Sequence, residues 1–281
     1  MTPSGGRLVI VATPIGNLGD LSPRAVQELA GADVIACEDT RRTRALLTAA
    51  GVSAHRLVAV HDANEADRAG QMVEILAAGS TVALVSDAGT PAVSDPGHRV
   101  VVAAVAAGHV ITVVPGPSAG LAALVASGLP TDRFVFEGFL PRKGADRTRR
   151  LSAIAAEPRT IVIYEAPHRV VRTAADLLVA CGAERPVALA RELTKVHEEF
   201  WRGTLGELVT RVAEVAPRGE HVLVVGGAPA SPPPTDADIE GALAARLAAG
   251  DDRRTAVAAV TAVLGAPRRR VYELALHVSS A

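Results

Sequence analysis

The chain has 281 residues, 49% hydrophobic and 21% charged, which is enough apolar material for two compact domains and argues against wholesale disorder. Aromatic residues are only 2%, so Ala and Val must carry the core, a composition that favours helices on Val-rich strands over sandwiches. With 29 basic against 30 acidic residues the formal charge is −1, which excludes a global nucleic-acid footprint and leaves such a partner to local clusters.

Leu8–Thr13 (LVIVAT) reads as a buried strand closed by Pro-Ile-Gly-Asn. It is short and breaks at Pro14, so it is not expected to be a signal peptide. Ser22–Ala30 follows as a helix, with Ser22 as N-cap and Pro23 at the first helical position. Strands at Asp33–Cys37, Arg56–Val60, Thr81–Val85 and Val110–Val114 then alternate with helices at Thr43–Ala50, Glu65–Ala78 and Pro96–Ala107. This alternation predicts an open, mainly parallel sheet, in which ligands bind beyond the carboxyl ends of the strands. After Gly116 come a helix at Ala119–Ser127 and strands at Phe134–Phe139, Thr160–Tyr164, Val187–Ala190, Phe200–Thr204 and His221–Val225. Helices at Arg147–Ala156, Arg169–Cys181 and Leu205–Val215 separate most of them, as in a second α/β domain with a mixed sheet. The expected organisation is α/β: an N-terminal domain over 1–115, a second over 116–228, a Pro-rich linker at 229–235 and a helical tail over 236–281. No uninterrupted apolar stretch has membrane-spanning length, and two distant cysteines, Cys37 and Cys181, suit a reducing cytosol.

Polar residues gather at the predicted strand ends. Thr13–Asp20 is a Gly-rich turn that either brings backbone amides close to an anionic ligand or simply joins a strand to a helix. Ser86-Asp-Ala-Gly-Thr-Pro91 offers a hydroxyl, a carboxylate and exposed amides within six residues, and two such loops at one sheet edge point to a small-ligand site. Pro115-Gly-Pro-Ser-Ala119 looks like a hinge, with Ser118 placed to cap the next helix. Glu38-Asp-Thr-Arg-Arg42 is a mutually paired cluster or a substrate clamp, with Arg41 and Arg42 for phosphate. His61 is a candidate base or a structural histidine. The run Arg142, Lys143, Arg147, Arg149, Arg150 is either a solvated helix face or a phosphate-tracking patch. No GxSxG, Walker A or HExxH pattern is present, and no grouping suggests a metal.

The segments TPIGNLGD, EDTRRT, HDANE, VSDAGTPAVSDPG, PGPSA, DRFVFEGFLPRK, YEAPHR and ARELTK, in that order, resemble the ribosomal RNA small subunit methyltransferase I family of the tetrapyrrole-methylase superfamily. The resemblance runs from about Leu8 to Val225. It implies two α/β domains with S-adenosylmethionine in the cleft between them, usually as a homodimer. It also implies methyl transfer to the ribose 2′-hydroxyl of a decoding-centre cytidine (position 1402) in 16S ribosomal RNA, with that RNA or the 30S subunit as partner. By the same resemblance Pro14, Ser86, Asp87, Ala88, Gly89, Thr90, Ser118 and Ala119 contact the donor from the first domain. Leu140, Tyr164, Ala190, Arg191 and Glu192 do so from the second. The remainder of Thr13–Asp20 becomes a cleft wall shared with RNA. The final turn, Gly265-Ala-Pro-Arg-Arg-Arg270, departs from the lysine and asparagine common in the family but keeps the positive charge.

Methyl transfer is an in-line displacement, so positioning supplies much of the catalysis. A ribose hydroxyl is a poor nucleophile near neutrality and benefits from a base, for which Asp39, His61 and Glu165 are candidates. Two rivals stand beside this reading: a tetrapyrrole-precursor C-methyltransferase on the same fold, and a ribosome-assembly factor that binds RNA without catalysis.

Overall fold

A computed structural model describes residues 6–53, 56–229 and 233–278, and the chain divides into two compact units after Ala228. The first unit holds two five-stranded sheets. In the first sheet, β1 (Arg7–Val11), β2 (Val34–Cys37), β3 (Leu57–Ala59), β4 (Val82–Leu84) and β5 (Val110–Val114) lie in the order β3-β2-β4-β1-β5. All its pairings are parallel, so all five strands end at one edge. Alternate residues of these strands face opposite layers. Leu8, Ala36 and Leu84 meet Met72, Leu76 and Val100 from α3 (Glu65–Ala77) and α4 (His98–Ala106), after α1 (Pro23–Gly31) and α2 (Thr40–Ala49) in the chain. Val9, Ile35 and Cys37 meet Leu29 and Leu47 from α1 and α2 on the other side.

Ser22 caps α1 by accepting from the Ala25 amide, with Pro23 opening the helix. Helix α2 starts at Thr40, three residues earlier than the sequence pattern predicts, because the Asp39 carboxylate accepts the Arg41 amide at 2.8 Å and caps it. Arg41 and Arg42 therefore stand in a first helical turn, where the dipole disfavours cations and the neighbouring carboxylates offset the cost.

The second sheet contains β6 (Phe134–Phe139), β7 (Thr160–Glu165), β8 (Pro186–Arg191), β9 (Glu199–Thr204) and β10 (His221–Val225), ordered β6-β7-β10-β8-β9. Only β6 and β7 run parallel; the other neighbours are antiparallel. One face packs on α6 (Ala145–Ala156), α7 (Pro167–Cys181) and α8 (Leu205–Glu214), through Ile154, Leu177 and Leu208. The opposite face packs on α5 (Ala119–Ser127) through Ala123 and Leu124, and the same cluster takes in Ile15 from the loop after β1. That apolar insertion ties the first sheet's edge to the second sheet.

The second unit contains α9 (Asp236–Ala248), α10 (Arg253–Leu264) and α11 (Arg268–Ala275), closed around Ile239, Leu243, Val257, Val260 and Val271. Residues 230–232 of the Pro-rich linker expected at 229–235 lie outside the described residues. No helix among the described residues is long and apolar enough to cross a membrane.

Candidate functional site

The two loops singled out by their sequence meet directly. The Thr13 amide donates to the Gly89 carbonyl at 2.8 Å, the Gly89 amide returns to Thr13 at 3.1 Å, and Thr13 Oγ1 donates to the Ser86 carbonyl at 3.2 Å. Gly89 has φ of +82°, a conformation that favours glycine, and an added Cβ there would approach Ile15 Cγ2 to 3.3 Å. Thr90 Oγ1 donates to the Pro117 carbonyl at 3.2 Å, tying the loop after β4 to the one after β5.

These strand ends form one wall of a cavity of about 390 Å³, a size suited to a small organic ligand. Ala88, Gly89, Thr90, Ser118 and Ala119 line it from one side; Phe139, Tyr164, Glu165 and His221 line it from the second sheet. Ser118 stands at the N-cap position of α5 but its side chain makes no capping hydrogen bond, a departure from the duty its position predicts. The Tyr164 phenol accepts the Gly120 amide at 2.9 Å, and its ring meets Phe136 and Phe139 edge-on. Burial pushes that phenol's pKa up and keeps it protonated near neutrality.

Five carboxylates line the cavity, Glu38, Asp87, Asp95, Glu165 and Glu220, against a single arginine, Arg42. Asp87 is committed: it accepts the Asp39 amide at 3.0 Å and lies 3.4 Å from Arg42. Glu165 is only 2% exposed and both its oxygens are engaged, by Thr173 at 2.6 Å and by the Ala166 amide and Arg169 at 3.0 Å. Glu220 pairs with Lys195 at 2.9 Å. Glu38 and Asp95 have no ion-pair partner among the described residues. Burial and the nearby Asp87 raise the Glu38 pKa. Burial and the neighbouring Glu38 push the Asp95 carboxyl up to about 7, Asp87 and Asp62 add to the rise, and the Ser86 hydroxyl opposes it. His221 is held below its usual pKa chiefly by burial, so it adds little positive charge near neutrality.

The remaining candidate residues are dispersed. Asp39 caps α2 and pairs with Arg41 at 2.8 Å, which holds its carboxyl well below the usual range and makes it a weak base outside the cavity lining. His61 is exposed in a turn beside Asn64, likewise outside the lining. Ser86 is buried behind the wall. Pro14 lines an adjoining groove of about 370 Å³, shared with Arg42, Leu46 and Lys195. The Leu140 side chain lies in the second sheet's core while its carbonyl accepts from Arg169 at 2.6 Å, and Ala190 is also a core residue. Arg191 turns to the Arg218 carbonyl at 2.8 Å, and Glu192 accepts from Lys195 and the Glu220 amide.

The expected basic patch over Arg142–Arg150 is divided by burial. Arg147 is not part of a solvated cationic face: it is 4% exposed and donates to Asp176 at 2.7 Å, Pro141 O at 2.8 Å and Thr173 at 3.0 Å. Arg149 pairs with Asp146, and Arg150 with Glu137 at 2.9 Å. Arg142 and Lys143 are exposed and, among the described residues, unpaired.

Asp95, Glu220 and His221 were not among the residues singled out in the sequence. Asp95 lies inside VSDAGTPAVSDPG, just before the helix expected from Pro96, where nothing in the local pattern marks it as a site residue. Glu220 and His221 sit at the start of an apolar strand with no local polar pattern to mark them.

Residues 7–209 match the family model of tetrapyrrole (corrin/porphyrin) methylases. The chain is 44% identical over 277 residues to the ribosomal RNA small subunit methyltransferase I of a Synechocystis species, covering 98% of this chain and 99% of that one. It is 52% identical to the protein of the same name from Xylella fastidiosa, over 79% of this chain and 82% of that protein. Among solved structures, the methyltransferase CobJ aligns with a TM-score of 0.60 at 23% identity, over 79% of this chain and 95% of that one. Uroporphyrin-III C-methyltransferase from Thermus thermophilus complexed with S-adenyl homocysteine aligns at 0.55 and 22% identity, over 79% and 97%. The structural likenesses establish a shared fold.

Proposed function

The chain belongs to the tetrapyrrole methylase family, and within it to the ribosomal RNA small subunit methyltransferase I proteins; from that premise we propose that it is an S-adenosylmethionine-dependent enzyme that methylates the ribose 2′-hydroxyl of the decoding-centre cytidine (position 1402) of 16S ribosomal RNA. The observation that carries the reading is the charge of the cavity. Asp87, Glu165 and Glu220 are paired with Arg42, Arg169 and Lys195, which leaves Glu38 and Asp95 as the carboxylates of the lining without an ion-pair partner among the described residues; these favour a cationic donor and a neutral acceptor hydroxyl over a polycarboxylated ring. This weighs against the tetrapyrrole-precursor reading, which the shared fold alone leaves open.

Bound S-adenosylmethionine supplies a methyl group activated by its sulfonium. The chain's own part is binding and alignment. Ala88, Gly89 and Thr90 give a backbone-rich wall that the Thr13 bridge holds rigid and Ser118 and Ala119 extend, and Tyr164 and Phe139 close it from the second sheet. The acid lining suits the donor's positive charge. On the RNA side Arg42 stands at the mouth shared with the adjoining groove, whose apolar floor at Leu46 and Ala49 offers room for a flanking base. Arg41, Arg142 and Lys143 are exposed cations for the RNA backbone.

The active species we propose is a cytoplasmic homodimer. Support for the pairing comes from exposed apolar side chains on α4 (Val102, Val105), the edge strand β5 (Val110, Val113), α5 (Leu121, Val125) and the edge strand β6 (Phe134, Phe136).

The test supplies labelled methyl donor to the purified protein with 30S subunits that lack the modification, followed by mass mapping of the product. Label on the 2′-oxygen of that cytidine is expected. Label in a porphyrinoid acceptor and none in RNA overturns the substrate, and tight RNA binding with no transfer to any acceptor favours the assembly-factor reading.

A further inference from the structure

Candidate bases chosen by residue type, Asp39, His61 and Glu165, are each committed elsewhere or lie outside the cavity. Among the five cavity carboxylates, the ion pairs remove Asp87, Glu165 and Glu220. Glu38 and Asp95 remain: Glu38 directly follows β2, and Asp95 lies on the segment leading into α4.

The segment bearing Asp95 is held with unusual firmness. Ala92 and Ser94 adopt positive φ, 66° and 62°, a conformation that costs free energy at non-glycine residues and persists only where the surroundings enforce it. Two contacts enforce it. From behind, the buried Glu65 carboxylate accepts the amides of Gly97 and Arg99, both at 2.8 Å, gripping the entry to α4. In front, the β6 strand bulges between Phe136 and Gly138, where φ is +59° and a Cβ would lie 2.8 Å from Ser94 Oγ, so the segment seats closely against the second sheet. Val93, Ser94 and Asp95 are thereby fixed in the cavity wall.

We infer that Asp95 is the catalytic base of this cleft, taking the proton of the acceptor hydroxyl, with Glu38 as the neighbour that keeps it basic and Glu65 as the residue that positions it. The inference rests on the reading of the cleft as a site of methyl transfer to a hydroxyl. In the step, the hydroxyl oxygen forms a bond to the methyl carbon, and the carbon–sulfur bond breaks with its electron pair going to sulfur. The hydroxyl proton passes to the Asp95 carboxylate, leaving neutral thioether, methyl ether and carboxylic acid. The groups facing Asp95 are Glu38 from β2, Asp62 from the turn after β3, Ser86 and Asp87 from the loop after β4, and Tyr164 from β7. Arg42 lines the same cavity but is turned to Asp87 at 3.4 Å, so burial and the surrounding acids prevail, the Asp95 carboxylate is destabilised and its proton affinity is raised into the range useful near neutrality.

The test combines Asp95→Asn and Glu38→Gln with three measurements on full-length protein. Carboxyl-carbon NMR of the ligand-free protein should show a titration near pH 7 that is absent in Asp95→Asn and moves to lower pH in Glu38→Gln. Calorimetry should show S-adenosylmethionine affinity for Asp95→Asn reduced by no more than about tenfold, the share of one carboxylate of the acid lining, while kcat on 30S subunits at saturating donor falls roughly 10²–10³-fold. The acid limb of kcat/KM for the donor should follow the NMR midpoint and shift down with it in Glu38→Gln. Asp95→Asn with kcat within threefold of wild type, or a loss carried by donor affinity alone, overturns the assignment. An acid limb unmoved by Glu38→Gln overturns the coupling. If wild-type protein places its methyl on a base nitrogen or carbon instead of an oxygen, the underlying reading fails first and is recognisable as such.

Discussion

Thr13 and Gly89 exchange both backbone hydrogen bonds, at 2.8 and 3.1 Å, and so clip together the loops that leave β1 and β4. The two strands are already parallel neighbours in the sheet, and beyond their last paired residues the bridge, which is antiparallel, ties the departing loops to each other. Gly89 can take part because its φ of +82° is open to glycine, and because a side chain there would press on Ile15. A single residue thus joins the rigidity of the wall to the apolar contact that ties the sheets together.

Gly89→Val is accordingly expected to weaken S-adenosylmethionine binding by at least tenfold in calorimetry. It should also lower stability by about 1–3 kcal/mol in denaturant unfolding, from the strained backbone and the crowded Ile15. Unchanged affinity would remove this loop from the donor site.

The raised Asp95 pKa carries a stability consequence of definite sign. With the folded value at about 7 and the ordinary value at 3.8, the unfolded chain releases the proton first, so stability falls as pH rises from about 4 to about 7 and levels off above. Asp95→Asn removes that loss. Its melting temperature should match wild type near pH 4 and exceed it at pH 8, by a free energy on the order of 1–2 kcal/mol once screening of this partly exposed group is allowed for. Equal melting temperatures at pH 8 would contradict a destabilised carboxylate in the cavity wall.

The basic run should separate into two phenotypes. Arg147→Met leaves Asp176 and Thr173 without their buried partner and is expected to cost on the order of 3 kcal/mol in chemical denaturation. Arg142→Ala with Lys143→Ala should leave stability nearly unchanged. It should instead weaken RNA binding and reduce the slope of log affinity against log salt by about 1 per cation removed. A salt slope that stays constant would take those two residues out of the RNA path.

Val125, 73% exposed on α5, and Val113, 49% exposed on the edge strand β5, belong to the exposed apolar side chains proposed as the dimer face. Val125→Glu combined with Val113→Glu is expected to convert the dimer to a monomer in analytical ultracentrifugation. A wild-type protein that sediments as a monomer would instead dispose of the dimer proposal.

The sequence by itself carried the alternation of Val-rich strands and capped helices, and with it the placing of polar loops at strand ends. Those signals are local: Ser22 caps where an N-cap residue precedes Pro23, and Gly128 ends α5 in the left-handed conformation. It also carried the family, because eight segments kept their order. Tertiary structure decided what the polar residues do. Arg147 reads as one cation of five until α7 brings Asp176 and Thr173 to it from nearly thirty residues away. Glu165 and Asp39 read as bases until their hydrogen bonds are counted, and Ser118 as a cap until its helix proves uncapped by it. Asp95 carries no mark of its own in the sequence, and its proposed role as proton acceptor arises only where the loops after β2 and β4 bring Glu38 and Asp87 near it. Proton affinity depends on burial and on charges gathered from distant parts of the chain, so it is fixed by the fold and not by the local sequence.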